Sequence, residues 1–265
     1  MFTTKIDNQI LELSHKLIQH PTKDVYQNHI HEYCEILLFI KGNANYNIDG
    51  QIFTLTPYDM LFIPAGAYHY LSPTETSEYE NYVIGLPLSM IDPLHYDCLF
   101  SQPLMVNIKN HTELFNFFTR LDYYHDTFSE EDFSKSARAL VNELIVYLSY
   151  CKKELNYVHS SSVAQIDEII RYISANIEKP LNADIIARHF LLSKSYIQNI
   201  FSQNMHIGLK KYIIQKKLYA ADTDIKRGLS PYIACEKYYF GDYSSFFRQY
   251  KTHFKKSPSK KTDNC

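Results

Sequence analysis

Hydrophobic and polar positions change period along this chain. Between residues 25 and 85 the apolar residues fall in short runs separated by turn formers. In "NYNIDGQIF" the Asp49-Gly50 pair supplies the positive φ angles that a two-residue hairpin demands, with Tyr46 and Ile48 before it and Ile52 and Leu55 after it. "DMLFIPAGAYHY" is apolar up to Pro64 and then turns through Ala65-Gly66 toward His69. Many short strands punctuated in this way predict a small barrel or sandwich. From about His111 the pattern becomes helical. In "FSEEDFSKSARALVNELIVYLSYCKKEL" Ser129 is placed to cap a helix, and Glu130, Glu131 and Asp132 fill the first turn, where carboxylates complement the helix dipole. Phe133, Ala137, Leu140, Val141, Leu144, Leu148 and Cys151 then recur at three- and four-residue steps, the stripe of one long amphipathic helix. Such a stripe either packs on its own domain or pairs with its twin in a dimer. "NYVHSSSV", residues 156 to 163, has the polar composition of a linker.

Beyond it the helical period returns in a repeated form. After a helix at 165 to 176, Leu181-Asn182 begins a short helix through "ADIIARHF". "LLS" follows, and then "KSYIQNIFSQ", capped by Ser193 and burying Ile197, Ile200 and Phe201. Its outer side carries Lys194, Ser195, Gln198, Asn199 and Ser202. A short helix, a tight turn and a capped helix with a polar face make a helix-turn-helix. The arrangement recurs in "SPYIACEKY", "YFG" and "DYSSFFRQYKTHF", where Ser230 is a cap and Pro231 takes the first helical position. Between the units "GLKKYIIQKKLYAADTDIKRG" reads as a helix of about 18 residues, roughly 27 Å long. Two recognition helices on that spacer suit successive major grooves, roughly 34 Å apart on one face of DNA.

Charge sharpens this division. The formal net charge is −2, but from Ala164 onward there are about 17 Lys and Arg against about 9 Asp and Glu, leaving about 10 against about 20 before it. An acidic half is joined to a basic one, and the basic half has the sign needed to meet phosphate. A chain of 265 residues with 45% apolar residues is long enough for two domains. It lacks a run of some 18 apolar residues and an amino-terminal export pattern, which leads us to expect a cytoplasmic protein with no membrane contact. The five cysteines are scattered without a Cys-x-x-Cys pair, as expected of reduced thiols rather than a disulfide framework or thiolate zinc site.

The candidate chemistry lies in "HIHEYCEILLFIKG". His29, His31 and Glu35 are all at odd positions, so they share one face if the strand is unbroken, and His69 from a neighbouring strand completes a three-His, one-Glu set. Neutral imidazoles and a carboxylate suit a divalent first-row metal. The run resembles the first cupin motif, His-x-His-x3-Glu-x6-Gly, and "PAGAYH" the Pro-x-Gly-x2-His part of the second. Tyr58 and Pro73 stand where the second motif usually has a glycine and an asparagine. The resemblance implies either a metal site for iron, manganese or zinc, or a pocket in which the same side chains bind a small effector.

Residues 164 to 258 resemble the DNA-binding domain of the AraC/XylS family of transcription regulators. The resemblance rests on "IARHFLLSKSYIQNIF", on Gly208 with "KKYI" and "KKLYAA", on "FGDYSSFFRQYK" and on Ser257-Pro258. It implies base contacts from Ser195, Gln198 and Asn199 in the first unit and from Tyr243, Ser244 and Arg248 in the second. Lys194, Lys217 and Lys251 would hold phosphate. Two features depart from the family: Tyr239 replaces a glycine usual in the second turn, and the usual Ile-Ala pair falls on Ala234-Cys235 unless one residue is inserted.

The resulting expectation is an α+β two-domain protein. It assigns 1–110 to a cupin-like β-barrel that senses an effector, 111–155 to a helical dimerisation segment, 156–163 to a linker and 164–265 to the double helix-turn-helix domain. The implied function is a non-enzymatic, effector-responsive regulator, mostly an activator in this family, that acts as a homodimer on promoter DNA and RNA polymerase. The rival expectation is a metal-dependent cupin enzyme with an appended DNA-binding domain.

Overall fold

The computed structural model describes residues 1–6, 11–19, 29–74 and 78–259. They form two compact units, Met1–Ser161 and Ser162–Cys265. The first contains strands β1 (Phe2–Ile6), β2 (Leu11–Ile18), β3 (Cys34–Lys41), β4 (Ala44–Ile48), β5 (Gln51–Leu55), β6 (Asp59–Ile63), β7 (His69–Pro73) and β8 (Tyr79–Leu86). Helix α1 (Pro93–Leu99), strand β9 (Leu104–Asn107), helices α2 (Thr112–Thr127) and α3 (Glu130–Cys151) and strand β10 (Asn156–Tyr157) complete it.

Among the described residues the strands make two antiparallel sheets, a cupin-like arrangement whose barrel is not closed. One has the order β1-β2-β8-β3-β6-β9-β10 and the other β5-β4-β7. Alternation in the central strands explains why both faces of the large sheet are dry. Ile36, Leu38, Met60, Phe62 and Ile84 pack with residues of α1, α2 and α3, whereas Leu37, Phe39, Leu61 and Ile63 pack with Tyr46, Ile48, Phe53, Leu55 and Leu71 of the small sheet. Each such side chain contributes roughly 1.5–3 kcal/mol when fully buried. The small sheet turns at Asp49 and Gly50, with φ of 44° and 85°, in the expected hairpin.

The amphipathic stripe of α3 packs inward on its own unit: Phe133, Ala137, Leu140, Val141, Leu144, Leu148 and Cys151 are all buried there. Any pairing of α3 with a second chain must therefore use its other face. Residues 156–161 also depart from the linker expected of them. β10 pairs with β9, and Ser161 and Ile52 exchange backbone hydrogen bonds of 2.8 and 2.7 Å.

The second unit is helical: α4 (Ala164–Ala175), α5 (Ala183–His189), α6 (Lys194–Met205), α7 (Leu209–Lys226), α8 (Pro231–Lys237) and α9 (Tyr243–Phe254). Its two helix-turn-helix units, α5–α6 and α8–α9, repeat the same pattern of local hydrogen bonds. Asn182 and Ser230 cap the first helices, and Ser193 and Asp242 cap the second ones, each side chain accepting from the backbone N–H three residues on. The buried pair Ile186-Ala187 of the first unit is matched by Ala234-Cys235 of the second, which settles the register. One residue is inserted, but in the turn, where Gly241 precedes the cap. Leu191 and Tyr239 occupy equivalent left-handed positions with φ of 55° and 57°. The tyrosine thus adopts the conformation for which the family uses glycine, and the second unit is built like the first.

Candidate functional site

The first unit gathers its four candidate ligands. One ligand atom from each of His29, His31, Glu35 and His69 lies within 4.8 Å of the others. The gathering does not arise from one unbroken strand, because β3 begins only at Cys34. His29 is instead held by an antiparallel bridge to His69, with N–H to carbonyl distances of 3.2 and 3.1 Å, and the chain bends at residues 32–33. Gly66 donates its N–H to the His31 carbonyl at 2.9 Å, tying the turn before β7 to the same bend. His31 stacks on Tyr33 at 3.8 Å, and Tyr33 lies over Gly85, where an added Cβ would meet its ring at 2.8 Å. Gly85 therefore keeps Tyr33, and through it His31, in place.

Hydrogen bonds fix the tautomers. His31 Nδ1 lies 2.7 Å from the Tyr33 carbonyl and His69 Nδ1 lies 2.9 Å from the Ala67 carbonyl. A carbonyl only accepts, so both rings donate from Nδ1 and a neutral ring carries its lone pair on Nε2. His31 Nε2 faces Glu35 Oε2 at 3.1 Å, and His69 Nε2 is buried with no hydrogen-bond partner among the described residues. Burial alone would raise the Glu35 pKa, but the hydrogen bond from His31 and the charges of His31, His69 and His29 outweigh it and hold the carboxyl at about 2. Burial pushes the His69 imidazole down to about 3. An ionised carboxylate and a neutral buried imidazole thus direct acceptors at one point, and a proton on His31 can satisfy only one of them. A cation shared by these atoms satisfies both, so the residues fit a divalent ion held by three nitrogens and a carboxylate. His29 is the exposed member and marks the open side of the cluster.

The second unit places its candidate DNA contacts on two helices of equal length. Lys194, Ser195, Gln198 and Asn199 are exposed on α6, as are Tyr243, Ser244, Arg248 and Lys251 on α9, while Ile197 and Phe201 and the equivalent Phe246 and Tyr250 are buried. Ser195 and Ser244 hold equivalent positions, as do Asn199 and Arg248. Lys194 forms a surface ion pair with Asp184 at 2.8 Å.

Lys217 is a correction. Its side chain is 5% exposed and so cannot reach phosphate. It donates instead to the carbonyls of Lys179 and Tyr238, both at 2.9 Å, beneath the ring of Tyr239 at 5.7 Å. The signal was present in the pattern, because Ile213, Lys217, Ala221 and Ile225 recur at four-residue steps along the buried stripe of α7.

Comparison with known proteins follows the same division. Residues 16–122 match the AraC-like ligand binding domain family. The regulatory protein SoxS of Escherichia coli (strain K12) is 31% identical over 96 residues, which cover 36% of this chain and 89% of SoxS. The uncharacterized HTH-type transcriptional regulator YijO of the same strain is 24% identical over 215 residues, 78% of this chain and 73% of its own, a length that must run through both units. Among solved structures, ToxT from Vibrio cholerae aligns over 94% of this chain and 96% of its own, at 12% identity and a TM-score of 0.39. Among the described residues no helix is long and apolar enough to cross a membrane. A ligand-binding domain followed by paired helix-turn-helix units, and a relative matched over most of its length, identify this chain as a member of the AraC/XylS family of DNA-binding transcription regulators.

Proposed function

We propose that the cluster of His29, His31, Glu35 and His69 is the input site of this regulator and that it holds a divalent metal, iron, manganese or zinc, beside which a small effector binds. The observation that carries this reading is the buried Nε2 of His69, without a hydrogen-bond partner among the described residues and aimed with Glu35 at the same point. A bound ion would supply positive charge and a coordination position for an oxygen or nitrogen of the effector. His31 and His69 orient that position through their Nδ1 bonds to backbone carbonyls, and Glu35 supplies the charge that matches the ion. The output is binding of promoter DNA in the cytoplasm by α6 and α9, with Gln198, Asn199 and Arg248 reading bases and Lys194 and Lys251 holding phosphate. Exposed Val146, Tyr147 and Tyr150 on α3 support a homodimer through the face its own unit leaves uncovered. Contact with RNA polymerase makes the regulator an activator, and the cluster serves sensing rather than turnover. Occupancy changes DNA binding only as far as the ligand prefers one arrangement of the protein over another.

The test is elemental analysis of the untagged full-length chain, followed by titration of the metal-stripped protein with Mn²⁺, Fe²⁺ and Zn²⁺ and by selection of genomic fragments with and without the ion. One equivalent of metal per chain, lost in His69→Ala, supports the input site. Far less than one equivalent, with no binding on titration, overturns it. Oxygen-dependent conversion of a small molecule by the loaded protein would favour the enzyme reading instead.

A further inference from the structure

The two recognition helices can set a spacing on DNA only if something holds their units rigidly together. Helix α7 joins them, but a glycine lies at each end of it, Gly208 as its N-cap and Gly228 just beyond its C-terminus with φ of 105°. Among the described residues neither glycine has a neighbour within 4 Å of the place a Cβ would take. A connection of this kind, by itself, leaves a hinge at either end.

The structure closes that freedom with two lysines. Lys217, in the middle of α7, donates at once to the carbonyl of Lys179, in the segment that leads into the first unit, and to the carbonyl of Tyr238, at the end of α8 in the second. Lys237 of α8 reaches the same segment from the other side, with its ammonium 2.9 Å from Glu178 and 2.8 Å from Asp224 of α7. The Tyr238 hydroxyl also donates to Asp224 at 2.8 Å. Tyr239, at the left-handed position of the second turn, covers the Lys217 ammonium with its ring. Residues 178–179 and 237–239 are therefore bridged directly, by contacts that bypass both glycines.

We infer that Lys217 and Lys237 form a clamp between the two helix-turn-helix units, and that this clamp sets the half-site spacing the protein selects on DNA. They are positioning residues, and neither needs to touch DNA. The inference rests on the reading that α6 and α9 both enter the groove. With the clamp in place the second helix is presented at a fixed distance once the first has bound. Without it the second binding event has a lower effective concentration and no single preferred spacing.

The experiment is selection from a random-sequence duplex library by the full-length chain and by Lys217→Met, Lys237→Met and Lys237→Arg. Each is checked for helicity by circular dichroism and for unfolding temperature. Wild type should enrich two half-elements at one spacing. Lys237→Met, whose side chain is partly exposed, should stay folded and enrich the same half-elements over several spacings, with affinity for the wild-type duplex reduced about tenfold. Lys237→Arg, which keeps the charge, should restore the single spacing. Should Lys217→Met lose its helicity, the Lys237 pair alone decides. A folded Lys237→Met that selects the wild-type spacing with wild-type affinity overturns the clamp and leaves the two-helix reading standing. Enrichment of only one half-element by wild type overturns both.

Discussion

Among the described residues each unit buries two formally charged side chains, Glu35 and Asp59 in the first and Lys217 and Asp222 in the second, and Glu35 and Lys217 are treated oppositely. Glu35 is buried among three imidazoles, one of which ends in a buried nitrogen with no partner among the described residues. Lys217 is buried beneath an aromatic ring, and its ammonium is met by two carbonyls. A buried charge whose surroundings are satisfied is tolerated in a fold, because its hydrogen bonds offset the cost of its desolvation. A buried charge whose surroundings keep an unmet acceptor carries a cost, which a ligand of the right sign removes. The first pattern marks a strut and the second a site. The contrast is open to test by removing one member of each.

The largest effect should come from the strut. Lys217→Met fills the space but leaves the Lys179 and Tyr238 carbonyls without their donor, and the second unit should lose about 3 kcal/mol of stability. Urea denaturation of the full-length chain measures this. A loss within experimental error would show that the carbonyls find water, and Lys217 would cease to be structural. At the site the same operation should show in ligand binding rather than folding. Glu35→Gln keeps shape and hydrogen bonding but removes the charge. It should weaken Mn²⁺ or Zn²⁺ binding at least about a hundredfold, the upper end of what losing an outer-shell partner costs. His69→Phe should cost the metal-free chain less than about 1 kcal/mol, since the group removed already lacks one partner. A metal-free chain destabilised as strongly as Lys217→Met would make the cluster a strut as well.

Much of this contrast was legible before the fold, and the reasons for the rest are physical. The four ligand positions could be read because they are fixed by local spacing and by a turn containing glycine. The route to convergence could not, because it depends on a bridge between His29 and His69 that no single strand encodes. The helix caps Ser129, Ser193 and Ser230 could be read because capping is a contact between near neighbours. The two-sheet arrangement was not legible, since strands buried on both faces give the same apolar run in a barrel or a sandwich. Lys217 was misassigned because a lysine suggests phosphate by charge. The partners that hold it lie 38 and 21 residues away in sequence.

A smaller effect separates the two turns. Leu191 is 93% exposed in a left-handed conformation, so Leu191→Gly should stabilise the first helix-turn-helix by about 1 kcal/mol, the strain of that conformation in an L-residue. Tyr239 carries similar strain, but its ring covers Lys217. Tyr239→Gly should therefore gain about the same amount and lose roughly 0.5–1 kcal/mol of cation–π attraction, for little net change. Equal stabilisation by both substitutions would show that the ring contributes nothing to the strut. Tyr58, at φ of 72° where the second cupin motif usually has glycine, presents a third case, with its ring against Phe115.

The smallest effect is a dependence on acid. Burial alone would raise the pKa of Asp224, but hydrogen bonds from Lys237 and Tyr238 and the charge of Lys237 outweigh it and hold the carboxyl below its ordinary value. A carboxyl depressed in the folded state binds fewer protons there than in the unfolded chain. Its contribution is therefore fully present above the unfolded value of about 3.9 and is lost as pH falls through the lower folded value. The second unit should lose under about 1 kcal/mol from this group between neutral and acid solution, because the pair with Lys237 is partly exposed to screening. Asp224→Asn should be less stable than wild type at neutral pH and should lose less on acidification. Denaturation at pH 7 and near pH 3 for both proteins measures the difference. Parallel losses would mean that Asp224 is not held by Lys237, and would leave Glu178 as the partner through which Lys237 acts in the clamp.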